Sequence, residues 1–138
     1  MTNRIDMDIN MFLKTGFQKL LGLKLVDIKP DHVRLSIDFR EELSGLSNAF
    51  HGGVLSSLID TVGGFAAWSG FNGPKTNMKC STITMNVQYI AMTNGESIVA
   101  EGIVTKRGRD LNYVDINVKT SDTDRLIAKG SIVYRIAQ

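Results

Sequence analysis

Cysteine occurs once in the 138 residues, at Cys80, which excludes an internal disulfide and a thiolate zinc site. Histidine is almost as scarce. With only His32 and His51, a three-ligand metal site would have to lean on carboxylates, and neither a metal nor a cofactor is expected. A dominant charge is missing too: 16 basic and 14 acidic side chains leave a formal net charge of +2, too small an excess to point to nucleic acid. Proline occurs twice, among 43% hydrophobic and 22% charged residues, which argues against disorder and for one compact domain over residues 1–138. A chain of this length buries roughly two-thirds of its unfolded surface and needs no covalent staple. There is no long apolar run. The most apolar stretch, 54–71, is interrupted by Asp60 and by several Ser, Thr and Gly, so no membrane span is expected. Arg4, Asp6 and Asp8 give the N-terminal stretch mixed charge and nothing resembling a signal peptide, so a cytoplasmic location is expected.

What is present is clear periodicity. Residues 7–21 carry Ile9, Phe12, Leu13, Leu20 and Leu21 at spacings that fit a short helix, weakened by Gly16 and Gly22. A strand over about 23–28 should turn at Lys29-Pro30-Asp31 into a second one. There Val33, Leu35, Ile37 and Phe39 alternate with Arg34, Ser36, Asp38 and Arg40, the period of a half-buried strand. Four more strands are expected beyond residue 80, at about 82–89, 97–106, 111–120 and 125–136, joined by turns at Thr93-Asn94-Gly95, 107–110 and 121–124. Short turns between them predict an antiparallel meander. Between the two strand groups, Val54, Leu55, Leu58, Ile59, Val62, Phe65 and Ala66 fall on one stripe of a helix over about 52–69, with Ser47 or Asn48 near its start. The order predicts an α+β fold: an antiparallel sheet of about six strands wrapped around one long central helix, with a short N-terminal helix.

That central helix is unusual. A surface helix shows several charges on its solvent side, and across 52–69 there is one, Asp60. The rest of the polar face is Ser56, Ser57, Thr61, Gly63 and Gly64, small and uncharged. Adjacent glycines cost about 1 kcal/mol each in a helix, so this face should meet protein closely, from the same chain or from a second copy. Asp60 would then be partly desolvated, either as a structural carboxylate bonded to Ser56 or Ser57, or as a catalytic group. At the helix start, His51-Gly52-Gly53 exposes backbone N–H donors at the positive end of the dipole, the requirement for an oxyanion hole.

With Phe50-His51-Gly52-Gly53-Val54-Leu55-Ser56-Ser57-Leu58-Ile59-Asp60, then Ser81-Thr82-Ile83-Thr84-Met85-Asn86-Val87-Gln88-Tyr89, Lys106-Arg107-Gly108-Arg109 and Ala128-Lys129-Gly130-Ser131, the chain resembles the hotdog-fold acyl-CoA thioesterases, of the phenylacetate-pathway type and the related thioesterase superfamily members. The resemblance implies hydrolysis of an acyl-CoA thioester. The Gly53 N–H would polarise the carbonyl, with Gly52 and Ser57 beside the substrate, and Asp60 would act as nucleophile or general base. Thr82 would sit near the attacking water, and His51 would position the carbonyl or the helix start. The family commonly holds Asn six residues before the His; here that position is Gly45, and Asn48 is the available substitute. Lys106, Arg107, Gly108 and Arg109, on a hairpin, would meet the CoA phosphates. Phe65, Trp68 and Phe71 are candidates for an acyl pocket or for core. His32 is read as exposed beside a turn, and Cys80 as inert.

A Ser-His-Asp hydrolase is disfavoured because no Gly-x-Ser-x-Gly elbow is present. A hotdog dehydratase is disfavoured because no Pro-containing run follows the His. The alternative to an enzyme is a non-catalytic acyl-CoA-binding regulatory module of the same fold. Helix geometry adds an expectation about assembly. Gly53 and Asp60 are separated by roughly 10 Å along one helix axis, too far for one thioester to reach both. They lie on nearly the same face, so a second, antiparallel helix would bring its Asp60 beside the first Gly53. A homodimer with two shared sites is expected, and the resemblance implies a dimer of dimers, a homotetramer.

Overall fold

The computed structural model describes residues 4–74 and 77–137, with side chains from Ile9 onward; the charges at Arg4, Asp6 and Asp8 lie outside the described side chains. The N-terminal segment forms two helices, α1 (Arg4–Leu13) and α2 (Gly16–Leu21), where one was expected. The break falls where Gly16 takes a φ of +57° and Thr15 Oγ1 donates to Phe12 O at 3.0 Å, which ends the first helix. Six strands follow, β1 (Lys24–Lys29), β2 (His32–Ile37), β3 (Lys79–Tyr89), β4 (Ile98–Arg107), β5 (Leu111–Thr120) and β6 (Leu126–Ala137). A 3-10 turn at Glu41–Leu43 and the 18-residue helix α3 (Gly52–Ser69) separate β2 from β3.

All strand pairs are antiparallel, in the order β1-β2-β4-β5-β6-β3. The expected meander therefore holds for β4, β5 and β6 only. Helix α3, about 27 Å long at 1.5 Å per residue, carries the chain to the far edge, where β3 pairs with β6. The Thr93-Asn94-Gly95 turn forms, with Gly95 at φ +82°, yet it closes no hairpin. It docks instead on the loop before α3: Gly95 N–H donates to Asn48 O at 2.9 Å, and Phe50 N–H donates to Thr93 Oγ1 at 3.0 Å.

Alternation decides what faces the helix. Val33, Leu35 and Ile37 of β2 and Val114, Ile116 and Val118 of β5 are buried beneath α3, with Leu58, Ile59, Val62 and Ala66 on the helix side. The helix lies so close that several positions admit no side chain. A Cβ on Gly63 would sit 2.8 Å from Ile132 Cγ2, one on Gly102 2.6 Å from Val62 Cγ1, and one on Gly130 2.7 Å from Ile59 Cγ2. The paired helical glycines thus serve packing within the same chain, one of the two readings their composition allowed.

Candidate active site

The loop ahead of α3 fixes His51. His51 N–H donates to Leu43 O at 2.9 Å, Gly45 N–H to Ala49 O at 3.0 Å, and Ser44 bridges Phe50. His51 is itself the N-cap of α3: Gly53 N–H donates to its Nδ1 at 2.7 Å. Neither Ser47 nor Asn48 caps the helix, because the loop hairpin places both a turn earlier. As Nδ1 accepts, Nε2 is the ring nitrogen left to carry the proton. That bond engages the N–H expected to polarise the carbonyl. Gly53 N–H is engaged, whereas Gly52 N–H, first of the helix, has no acceptor among the described residues.

Two turns along α3, Asp60 is half-buried and accepts from Thr82 Oγ1 at 2.6 Å, a bond spanning 22 residues and two elements. Ser56 and Ser57 do not hold Asp60. Both donate to Gly53 O, at 3.1 and 2.6 Å, and Thr61 Oγ1 donates to Ser57 O at 2.8 Å, so the serines and threonine on α3 satisfy the helix itself. Tyr134 stands opposite Thr82 in the β3–β6 ladder, with its ring over Gly64, where a Cβ would lie 3.0 Å from Tyr134 Cε2. Burial, with the negative charges of Cys80 and Asp60 adding to it, pushes the Tyr134 phenol up to about 12.

Other expected residues separate. Asn48 is exposed and held through its carbonyl by Gly95, and nothing brings its side chain to Asp60. At Gly45 a Cβ would lie 3.2 Å from His51 Cα, so a residue with a side chain there would press on the cap. Arg107 is engaged within the chain. Its guanidinium donates to Asp31 Oδ1 at 2.6 Å, to Ala67 O at 2.8 Å and to Asn112 Oδ1 at 3.0 Å, tying the β4–β5 hairpin to the end of α3. Gly108 also serves the hairpin: its N–H donates to Leu111 O at 2.8 Å, and a Cβ would meet that oxygen at 2.7 Å. Lys106 and Arg109 remain exposed, beside a surface cavity of about 500 Å³ that Tyr113 and Leu111 also line. His32 is not exposed as expected. Its side chain is 14% accessible and its Nε2 meets Glu101 Oε2 at 2.8 Å across the β2–β4 ladder. Partial desolvation pushes the Cys80 thiol up, away from nucleophilic use.

The apolar cavity that opens beside His51 was not foreseen. It measures about 450 Å³ and is lined by Phe17, Leu20 and Leu21 of α2, Leu43, and Val54, with His51, Gly53 and Ser57 at one side. Phe65, Trp68 and Phe71 pack against the core instead, Phe65 also meeting Phe12 at a ring separation of 6.3 Å. Phe17 and Leu20 of α2 are 54% and 66% exposed although Leu21 of the same helix joins the core, so these apolar side chains are left to line the cavity. Among the described residues no cluster of His, Cys, Asp or Glu could hold a metal, and no helix is long and apolar enough to cross a membrane.

This geometry has relatives. Human acyl-coenzyme A thioesterase 13 is 28% identical over 117 residues, covering 83% of this chain and 81% of that one. A thioesterase from Haemophilus influenzae superposes with a TM-score of 0.86 at 14% identity, covering 100% of this chain and 93% of that one. A Streptococcus mutans protein solved bound to acetyl-CoA superposes with a TM-score of 0.73 at 18% identity, over 83% of this chain and 88% of that one. These likenesses make the six-stranded sheet around α3 a hotdog fold. The family model described as the thioesterase superfamily matches residues 48–127, which span the His51 cap, Asp60, Thr82 and the β4–β5 hairpin, and the chain belongs to that superfamily.

Proposed function

We propose that the protein hydrolyses acyl-CoA thioesters with an apolar or aromatic acyl group, using Asp60 as general base. The observation that carries this reading is the Thr82–Asp60 hydrogen bond, 2.6 Å long, which orients the sole carboxylate of α3 from the facing strand. Thr82 occupies Oδ1, leaving Oδ2 to take a proton from water. The water oxygen adds to the thioester carbonyl carbon, and the oxyanion is held by Gly52 N–H, with His51 Nε2–H alongside. Collapse breaks the C–S bond, the acid leaves, and the proton on Asp60 passes to the CoA thiolate. The cavity beside His51 suits an apolar acyl end: Phe17, Leu20, Leu21, Leu43 and Val54 line it, and its charged residues, Arg40 and Glu42, already pair with each other, Nε to Oε2 at 3.5 Å. A second carboxylate on the acyl group would find no partner there. Lys106 and Arg109 are the exposed cations suited to the CoA phosphates.

Gly52 and Asp60 are eight residues apart, about 12 Å along the axis, so a site drawing on both needs two chains. Edge strand β3 supports this assembly. Its 11 residues are almost all exposed, Ile83, Met85 and Tyr89 among them, and its outer edge is unpaired within the chain. A second copy adding antiparallel to β3 would cover it and bring the two α3 helices together in a homodimer. Assembly of two such dimers and a cytoplasmic location belong to the same reading.

The test is release of free thiol across a panel of acyl-CoAs. Wild type should turn over apolar and aryl acyl groups in preference to dicarboxylic ones. Asp60→Asn should lower kcat by about 10²–10⁴-fold while still binding CoA. Binding without thiol release in the wild type would instead make the chain an acyl-CoA-binding module. Mixing Asp60→Asn subunits with Gly52→Val subunits should restore activity if each site draws on two chains.

A further inference from the structure

Asp60 presents two carboxylate oxygens, and the helix that carries it supplies no hydroxyl for either. Ser56, Ser57 and Thr61 are committed to carbonyls of α3. The hydroxyl bonded to this carboxylate comes from the sheet, from β3, which pairs in register with β6 at Thr82↔Tyr134. Thr82 takes Oδ1. Tyr134, half-buried on β6, lies over Gly64, one helical turn beyond Asp60 on the same side of α3. Gly64 explains the ring's place. Any side chain there would collide with the phenol, its Cβ at 3.0 Å from Cε2 and 3.5 Å from the hydroxyl oxygen, so the helix gives up a better helix former to admit Tyr134. Cys80, from β3, is the other titratable group that acts on this phenol.

We propose that Tyr134 is a positioning residue of the Asp60 site: Thr82 holds the carboxylate directly, and the Tyr134 hydroxyl, not itself bonded to Asp60, orients the water that the carboxylate activates. The inference rests on the reading of Asp60 as general base. Tyr134 keeps its proton across the working pH range, because its phenol is pushed up to about 12, and so remains a donor whenever Asp60 is charged. Thr82 is fixed by the strand backbone and Tyr134 by the packing of its ring on Gly64, so the two donors are preorganised on rigid elements.

The experiment compares wild type with Tyr134→Phe, which keeps the ring and its packing and removes only the hydroxyl. Two quantities are read: kinetics on the best acyl-CoA of the panel, and the ¹³Cγ resonance of Asp60 in labelled protein at neutral pH. The expected result is a kcat reduced about tenfold with KM within twofold, the scale of one lost hydrogen bond, together with a resolved shift of the Asp60 resonance. Ser36→Ala, which removes a hydroxyl from the outer face of β2, should move neither. An unmoved Asp60 resonance, or a wild-type kcat in Tyr134→Phe, overturns the proposal. The carboxyl resonance needs no turnover. If wild type released no thiol, a shifted resonance would keep the coupling of Tyr134 to Asp60 and remove only the general-base reading, whereas an unshifted one would remove both.

Discussion

Replacing Arg107 by Ala separates two roles that its neighbours in the Lys106-Arg107-Gly108-Arg109 run make look alike. The guanidinium makes three hydrogen bonds, to Asp31 Oδ1, Ala67 O and Asn112 Oδ1, with its side chain 25% exposed. Ala67 lies in the last turns of α3, where a cation also meets the negative end of the helix dipole. Removing one partner of a fully buried ion pair costs about 3–5 kcal/mol. Asp31 is 47% exposed and can rehydrate, so the charge term shrinks, and the two remaining bonds dominate. The sum is about 2–3 kcal/mol, which lowers the Tm of a domain this size by about 6–9 °C. The assay is thermal unfolding at fixed protein concentration, since any dimer makes Tm depend on it, with KM for an acyl-CoA measured in parallel at low and high salt. Arg107→Ala should lose the stability and leave KM nearly unchanged well below its Tm. Lys106→Ala and Arg109→Ala should keep the Tm and raise KM, the more so at low ionic strength. If Arg107→Ala melts with wild-type Tm and raises KM as Arg109→Ala does, the clamp described above is not what holds Arg107.

Two further outcomes follow from single contacts. His51→Ala removes the side-chain cap of α3 and should cost about 1 kcal/mol of stability, read by urea unfolding; it should also lower turnover, while His51→Asn, which can still accept from Gly53, should recover most of the stability but not the Nε2–H. The phenol of Tyr134 is pushed up from the ordinary 10 to about 12, so the folded state holds a proton that the unfolded chain has lost. Its contribution is therefore present below pH 10 and is lost as the pH rises toward 12, on the order of 2 kcal/mol after allowance for the part of the ring that water reaches. Tyr134→Phe should flatten the alkaline limb of the stability profile between pH 10 and 12, and identical limbs in the two proteins would contradict the burial of that phenol.

Local patterns in the sequence determined most of the elements. The alternation from Val33 to Phe39 and the apolar stripe from Val54 to Ala66 are properties of neighbouring residues, and strand and helix formed where those periods lie. The isolation of Asp60 on a helix without other charges was equally legible, as was Thr82 once the resemblance supplied its role. Pairing was not legible. Nothing near Thr93-Asn94-Gly95 says that β3 turns away from β4 to join β6, because that choice is made by where α3 delivers the chain. The three basic residues of the hairpin look equivalent in one dimension, and only the tertiary structure aims Arg107 at the end of α3 and leaves Lys106 and Arg109 in solvent. The same holds for which N–H at the helix start is engaged. Two adjacent glycines offer two N–H groups, and the choice between them was made by the His51 ring, which folds back onto Gly53 and leaves Gly52 open. Tyr134 and Thr82 are 52 residues apart and carry no shared motif; they meet because the β3–β6 register sets them opposite each other beneath one turn of α3. Periodicity is written in adjacent residues, whereas a site assembled across a sheet depends on register and crossover, which long-range packing alone decides.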